Sequence, residues 1–177
     1  LGYEHCTVGI DTWAVDYVLL DEKGDRLREA ISYRDRRTDH TIDKLEHTLS
    51  KAAIYQKTGI QFQPFNTIYQ LYEEDRELLI KTDKIMMIPD YLGYCLTGKA
   101  VTEITNASTT QLLNASTGNL DPELLEAVSV QEQQFAPLTE PGCELGKLRN
   151  EWFPDYDLPA CKVMTVATHD TASAVIA

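Results

Sequence analysis

One stretch of the sequence offers a carboxylate in a setting that would expose it to a ligand. Thr168-His169-Asp170-Thr171-Ala172-Ser173-Ala174 follows the apolar run Lys162–Ala167, which reads as a buried strand, and leads into a run of small residues. In open α/β sheets ligands gather beyond the carboxyl ends of strands, where a following helix also points its N-terminus. A carboxylate at that junction can reach a bound hydroxyl and accept its proton. Asp is equally common as a helix N-cap. The motif alone leaves both uses of Asp170 open, and one position can serve both.

A His-Asp pair also occurs in metal-dependent phosphohydrolases, but there it sits on helices among several further histidines. Here the pair ends a strand, and only His5, His40 and His47 remain. Other clusters carry groups that bind rather than react. Tyr33-Arg34-Asp35-Arg36-Arg37-Thr38-Asp39 sets three arginines in four positions, enough to grip an anionic or polyhydroxyl ligand while Tyr33 stacks on a sugar face. A solvated cluster of salt bridges to Asp35 and Asp39 explains the same residues. Gln61-Phe62-Gln63-Pro64-Phe65-Asn66 mixes rings and amides, which suits a carbohydrate pocket and equally a hydrophobic staple entering a helix. Gly9-Ile10-Asp11-Thr12-Trp13-Ala14-Val15-Asp16 places two carboxylates and an indole just past a strand, and Thr105-Asn106-Ala107-Ser108-Thr109-Thr110 is a polar cluster of the kind that caps helices.

The elements that must position these groups are legible in outline. Thr7–Ile10 and Tyr17–Leu20 are β-branched and apolar runs of strand length. Asp21-Glu22-Lys23-Gly24-Asp25 is turn chemistry, so the second run and a segment through Ile31 are expected to form a hairpin. Asp39 is placed to cap a helix carrying Ile42, Leu45 and Leu49, and Ser50 to open another that Gly59 closes. Asn66 or Thr67 begins an amphipathic segment through Ile68, Leu71, Leu78 and Leu79. Pro89 suits the first turn of a helix that Gly98 stops, and Asp121-Pro122-Glu123 opens another over Leu124, Leu125 and Val128. Between Pro137 and Pro159 the pattern is irregular. Strands alternating with helices predict an α/β fold.

Composition narrows the partners. The chain has 177 residues and a net charge of −12, which disfavours nucleic-acid and anionic-membrane surfaces. The apolar stretch near Ile85–Leu96 is interrupted by Pro89 and Asp90 and is too short to span a bilayer. No secretory pattern opens the sequence, so a cytoplasmic setting is expected. Cys6, Cys95, Cys143 and Cys161 are spread out with no CxxC pair and are read as buried, reduced thiols rather than a zinc site.

The clusters occur in a telling order. Gly9-Ile10-Asp11-Thr12-Trp13, Tyr33 through Thr38, Pro64-Phe65-Asn66-Thr67, Pro89-Asp90-Tyr91-Leu92 with Leu96-Thr97-Gly98, Thr105 through Leu112, and His169 through Ala174 together resemble the FGGY family of carbohydrate kinases. The likeness runs from about Thr7 to Ala177. His169-Asp170-Thr171, Ile10–Trp13 and Gln61–Asn66 look like the branch that phosphorylates L-rhamnulose. That resemblance implies an actin-like ATPase (ribonuclease H-like) α/β domain that binds the sugar, paired in the family with a second, nucleotide-side domain. It implies transfer of the γ-phosphoryl group of ATP, with Mg²⁺, to the C1 hydroxyl of L-rhamnulose, and no nucleic-acid or membrane partner. It makes Asp170 the general base and sets His169 and Thr171 beside the sugar. Ala14 would touch the sugar through its backbone, next to Trp13, while Tyr33, Phe65 and Asn66 match pocket positions.

Two departures from the family pattern bear on function. The branch commonly has glycine where this chain has Ala14, so that side of the pocket is expected to be narrower. The family's first phosphate-binding hairpin, with its Asp-x-Gly loop, and the second domain have no counterpart in residues 1–177, so these residues are expected to be part of the sugar-binding domain and inactive alone. Another sugar kinase of the family, for fuculose, ribulose or xylulose, and a non-enzymatic actin-like interaction module are the rival readings.

Overall fold

Two strands from opposite ends of the sequence pair in the site-bearing sheet. The computed structural model describes residues 4–152, 154–156 and 159–176. In chain order its elements are β1 (His5–Gly9), β2 (Tyr17–Leu20), α1 (Thr41–Glu46), α2 (Lys51–Thr58), α3 (Thr67–Tyr72), α4 (Arg76–Lys81), β3 (Lys84–Met87), α5 (Ile88–Thr97), β4 (Thr102–Glu103), α6 (Ile104–Thr109), β5 (Leu113–Asn114), β6 (Asn119–Leu120), α7 (Pro122–Ala127), β7 (Leu138–Thr139), β8 (Glu144–Lys147), β9 (Ala160–Met164) and α8 (Asp170–Ile176). β1 pairs in parallel with β9, His5 opposite Ala160 and Gly9 opposite Met164, and β8 pairs antiparallel on the far side of β9. This is a mixed α/β architecture, as the alternation of strands and helices predicts.

β2 and β3 form a separate antiparallel ribbon, Tyr17 opposite Met87, that divides the apolar interior. Side chains alternate along a strand. Tyr17, Leu19, Ile85 and Met87 therefore enter the larger cluster with Leu45, Ile54, Ile68 and Leu124. Val18, Leu20 and Met86 face the other way, against Ile88, Tyr91 and Tyr94. Helix ends follow local chemistry. Ser50 Oγ accepts the Ala53 N–H at 3.2 Å, and α2 stops at Gly59 with φ +67°, a backbone that a side chain would strain. The Asp121 side chain accepts from the N–H groups of Glu123 and Leu124 at the start of α7.

Several expectations are corrected. After β2 there is a tight turn and one bridge, Leu20 with Arg26, but no hairpin through Ile31, because the ribbon partner of β2 is the mostly buried β3. Asp39 does not cap α1; His40 holds that position, and Asp39 ends a 3₁₀ turn over Arg36–Thr38. The amphipathic segment is two helices, broken where Asp75 caps α4 through the Glu77 N–H at 2.7 Å. The irregular stretch contains β8, and the last strand spans Ala160–Met164, so residues 165–168 are loop. None of the four cysteines is in a disulfide, yet only Cys161 is buried and Cys143 is exposed. Among the described residues no helix is long and apolar enough to cross a membrane.

Asp90, in the first turn of α5, makes the fold sensitive to pH. Burial pushes its pKa up to about 8; the nearby Glu103 charge adds to this, and the Glu103 N–H, 3.3 Å from Asp90 Oδ2, works against it. An unfolded Asp titrates near about 3.9. Between about pH 4 and 8 the folded chain therefore holds a proton that the unfolded chain has released, so stability falls as pH rises through that window. The urea midpoint should decline between those limits, and Asp90→Asn should flatten the decline. An equally steep decline in Asp90→Asn would mean that other groups set it.

Candidate active site

β1 and β9 end side by side, and the segments beyond them continue as a pair. Thr12 and His169 form a parallel bridge, with the Thr12 N–H donating to the Thr168 carbonyl at 3.0 Å and the Asp170 N–H donating to the Thr12 carbonyl at 2.9 Å. Trp13 and Ala14 are thereby set next to His169 and Asp170, although they come from opposite ends of the sequence. A cleft of about 360 Å³ opens there. Trp13, Ala14, Val15, Tyr33, Ile60, Gln61, Gln63, Phe65, Asn66, Thr109, His169 and Asp170 line it.

Asp170 is the first residue of α8, and His169 stands at the cap, its carbonyl accepting the Ser173 N–H at 3.0 Å. An N-cap side chain bonds to N–H groups two or three residues on. Asp170 instead takes its hydrogen bonds from the adjacent residue, through the Thr171 N–H at 2.6 Å and the Thr171 hydroxyl at 3.3 Å, both on Oδ1. His169 Nε2 lies 3.6 Å from the same oxygen. The carboxylate is 56% exposed, and among the described residues its Oδ2 accepts no hydrogen bond. One oxygen is anchored by Thr171, and the residue lines the cleft.

The opposite wall is held from behind by a buried polar chain. The Trp13 indole N–H donates to Asp16 Oδ2 at 2.9 Å while the ring stays 48% exposed at the cleft. Asp16 Oδ1 accepts from the Gln70 amide at 3.2 Å, which also reaches the Phe65 carbonyl at 2.9 Å. Gln70 Oε1 accepts from Arg37 Nη2 at 2.9 Å. Tyr33 meets Phe65 edge-on, ring centroids 5.6 Å apart. Asn66 spends its amide N–H groups on the Gln61 carbonyl at 2.9 Å and Gln111 Oε1 at 2.8 Å, so it shapes the loop beneath the wall.

Of the eight residues singled out in the sequence, Trp13, Ala14, Tyr33, Phe65, Asn66, His169 and Asp170 meet at this cleft. Thr171 does not line it and serves Asp170 instead. None of the three neighbouring arginines lines it either: Arg37 turns inward to Gln70, Arg34 lies over the Tyr33 ring at 5.3 Å, and Arg36 is exposed. Val15, Ile60 and Thr109 are lining residues that the sequence reading missed. Thr109 lay within a cluster read as a cap, and an apolar residue such as Ile60 after a helix stop carries no distinctive signal. Val15 has φ +69°, an outlier for a β-branched residue. Its carbonyl is held by the Thr67 hydroxyl at 2.8 Å, a compensation invisible in the sequence. The cleft thus joins aromatic and aliphatic walls to one accessible carboxylate, which suits stacking on a small polyhydroxylated ligand and taking a proton from it.

The chain matches the family described as "FGGY family of carbohydrate kinases, N-terminal domain" over residues 4–177. It is 97% identical over its whole length to the rhamnulokinase of Bacillus subtilis (strain 168), of which it covers 36%. It is 62% identical over 175 residues to the rhamnulokinase of Ligilactobacillus salivarius (strain UCC118), covering 99% of this chain and 36% of that protein. Among solved structures it is similar to xylulose kinase from Rhodospirillum rubrum, with a TM-score of 0.84 at 20% identity, covering 96% of this chain and 36% of that one. Plasmodium falciparum glycerol kinase with ADP gives a TM-score of 0.82 at 22% identity, covering 97% and 35%. At those identities the solved structures speak for the fold. The chain spans little more than a third of the length of the relatives it matches.

Proposed function

Because this chain belongs to the FGGY family of carbohydrate kinases, we propose that it forms the sugar-binding side of an ATP-dependent kinase for L-rhamnulose. The observation that carries this reading is the 97% identity to a rhamnulokinase along the whole chain. The geometry supports it, since the one accessible carboxylate of the cleft stands at the strand ends where a sugar hydroxyl would be presented. Asp170 accepts the proton of the C1 hydroxyl, and that oxygen forms the new bond to the γ-phosphorus of ATP. The bond from the γ-phosphorus to the β,γ-bridging oxygen breaks, and its electron pair leaves with ADP. Trp13, Tyr33 and Phe65 offer ring faces and edges to the sugar, the Ala14 backbone borders it, and His169 flanks the carboxylate.

ATP is the second substrate. Among the described residues no group of three or more His, Cys, Asp or Glu side chains could hold a metal ion. Mg²⁺ in such sites is usually held by one or two carboxylates together with substrate phosphates and waters, and so needs no such cluster. We assign magnesium to the ATP phosphates, with which it is usually bound.

A panel of acceptors tests the substrate. A pocket that hydrogen-bonds sugar hydroxyls rejects analogues lacking them far more strongly than an apolar pocket rejects a missing methylene. The whole protein should therefore show a much higher kcat/KM for L-rhamnulose than for glycerol or D-xylulose. Equal kcat/KM for glycerol and L-rhamnulose would rule out the assignment. Preference for L-fuculose or L-ribulose would move the enzyme to another branch of the family, and an absence of any phosphorylation would favour a non-catalytic module.

A further inference from the structure

We propose that Glu103 is a positioning residue for the phosphoryl transfer, holding the His169-Asp170 junction in register with the opposite wall of the cleft; the inference rests on the kinase reading above. Glu103 ends β4 and is fully buried. Burying a carboxylate is costly unless its oxygens are well supplied with donors. Five are present. Oε1 accepts the Thr105 N–H at 2.9 Å. Oε2 accepts the Thr105 hydroxyl at 2.6 Å, the Asn106 N–H at 3.3 Å, the Thr168 N–H at 3.0 Å and the Thr168 hydroxyl at 2.7 Å.

The donors come from two places far apart in sequence. Thr105 and Asn106 begin α6, whose last residue, Thr109, lines the cleft. Thr168 lies in the loop between β9 and α8, two residues before Asp170. The Thr105 hydroxyl also accepts the His169 N–H at 3.4 Å. One buried anion therefore ties the two residues preceding Asp170 to the first turn of α6. Asp90 completes the arrangement by receiving the Glu103 N–H. Thr165 is tied to Gly142 and Cys143, and the Ala167 carbonyl accepts the Ser173 hydroxyl at 2.6 Å, whereas the Thr168-His169 step just before Asp170 is held by this carboxylate, the Thr105 hydroxyl and the Thr12 bridge. A displacement of about 1 Å at a reacting group can cost on the order of 10²-fold in rate.

The test is a double-mutant cycle in the whole protein with L-rhamnulose and ATP. Glu103→Gln keeps the length but turns one oxygen into a donor facing donors. Its kcat should fall about 10- to 100-fold, with the KM for L-rhamnulose within about threefold of the parent. In an Asp170→Asn background the same substitution should slow the enzyme little further, because residues acting through one another are not additive. Thr168→Val, which removes one donor and no charge, should show the same pattern at smaller amplitude and serves if Glu103→Gln does not fold. An unchanged kcat in the tested variant, or the same fold-loss in both backgrounds, would overturn the inference. With an active parent and a slow Asp170→Asn, that failure leaves the kinase reading standing. A parent with no L-rhamnulose kinase activity overturns both.

Discussion

Asp170→Asn in the whole protein should lower kcat for L-rhamnulose by about 10²–10⁴-fold, the usual contribution of a general base. The substitution keeps the side chain's shape and leaves an oxygen to accept the Thr171 N–H, now at 2.6 Å on Oδ1. It removes only the basicity. Melting temperature and sugar affinity should stay close to the parent. The carboxylate's place supports the catalytic role over a purely local one, since its two hydrogen bonds come from the adjacent Thr171 and fall on one oxygen. If Asp170 merely ordered the start of α8, the amide would serve about as well and kcat would barely move. Asp170→Ala separates the roles again, because it deletes a net contribution of about 0.5–1.5 kcal/mol per hydrogen bond along with any base. A normal kcat for Asp170→Asn, measured beside an unchanged melt, would return Asp170 to a structural part.

Much of the scaffold could be read before any coordinates because the signals are local. Gly59 and Gly98 stop helices through positive φ, and Ser50 and Asp121 cap them through one side-chain oxygen. What the residues could not reveal is long-range. The site exists because β1 pairs with β9, and nothing in the periodicity of either strand specifies the other. The same competition defeated the hairpin reading: the segment after the turn carries Arg26, Arg28 and Glu29, whereas Ile85, Met86 and Met87 can be buried on both faces of the ribbon. β8 was missed because Glu144-Leu145-Gly146-Lys147 has poor strand propensity and is held by its pairing with β9. The arginine cluster could not be decided from sequence for a related reason. Arg37 is consumed by Gln70 beneath the wall, a contact that spacing along the chain cannot predict.

That dependence of the site on interior polar contacts leads to the second large effect, which falls on stability rather than rate. Glu74, just after α3, is buried and accepts the Tyr17 hydroxyl at 2.8 Å. Arg28 donates to it through Nε at 3.2 Å and through Nη2, and its guanidinium also lies 5.6 Å from the Tyr17 ring centroid. Burial alone would raise the carboxyl's pKa, but hydrogen bonds from Arg28 and Tyr17 and the Arg28 charge outweigh it and hold the pKa below the usual glutamate value. Glu74→Ala strands a buried hydroxyl and a mostly buried guanidinium, so it should cost about 3–5 kcal/mol, the range for removing one partner of a buried ion pair. Glu74→Gln keeps an acceptor for Tyr17 and loses the charge, so its cost should be smaller. The sign of the pKa shift adds a pH test. Stabilisation by a depressed carboxyl is present above the unfolded pKa of about 4.3 and is lost as pH falls through the folded value. The gap between the parent and Glu74→Gln in urea unfolding should therefore be full at neutral pH and shrink below about pH 4. Because Tyr17 opens β2 immediately after the Trp13–Asp16 segment of the cleft, Glu74→Ala should also loosen that wall and weaken sugar binding by the whole protein. A Glu74→Ala melt within about 1 kcal/mol of the parent would mean that water replaces the lost carboxylate, and that the wall takes its order from the Asp16–Gln70 chain alone.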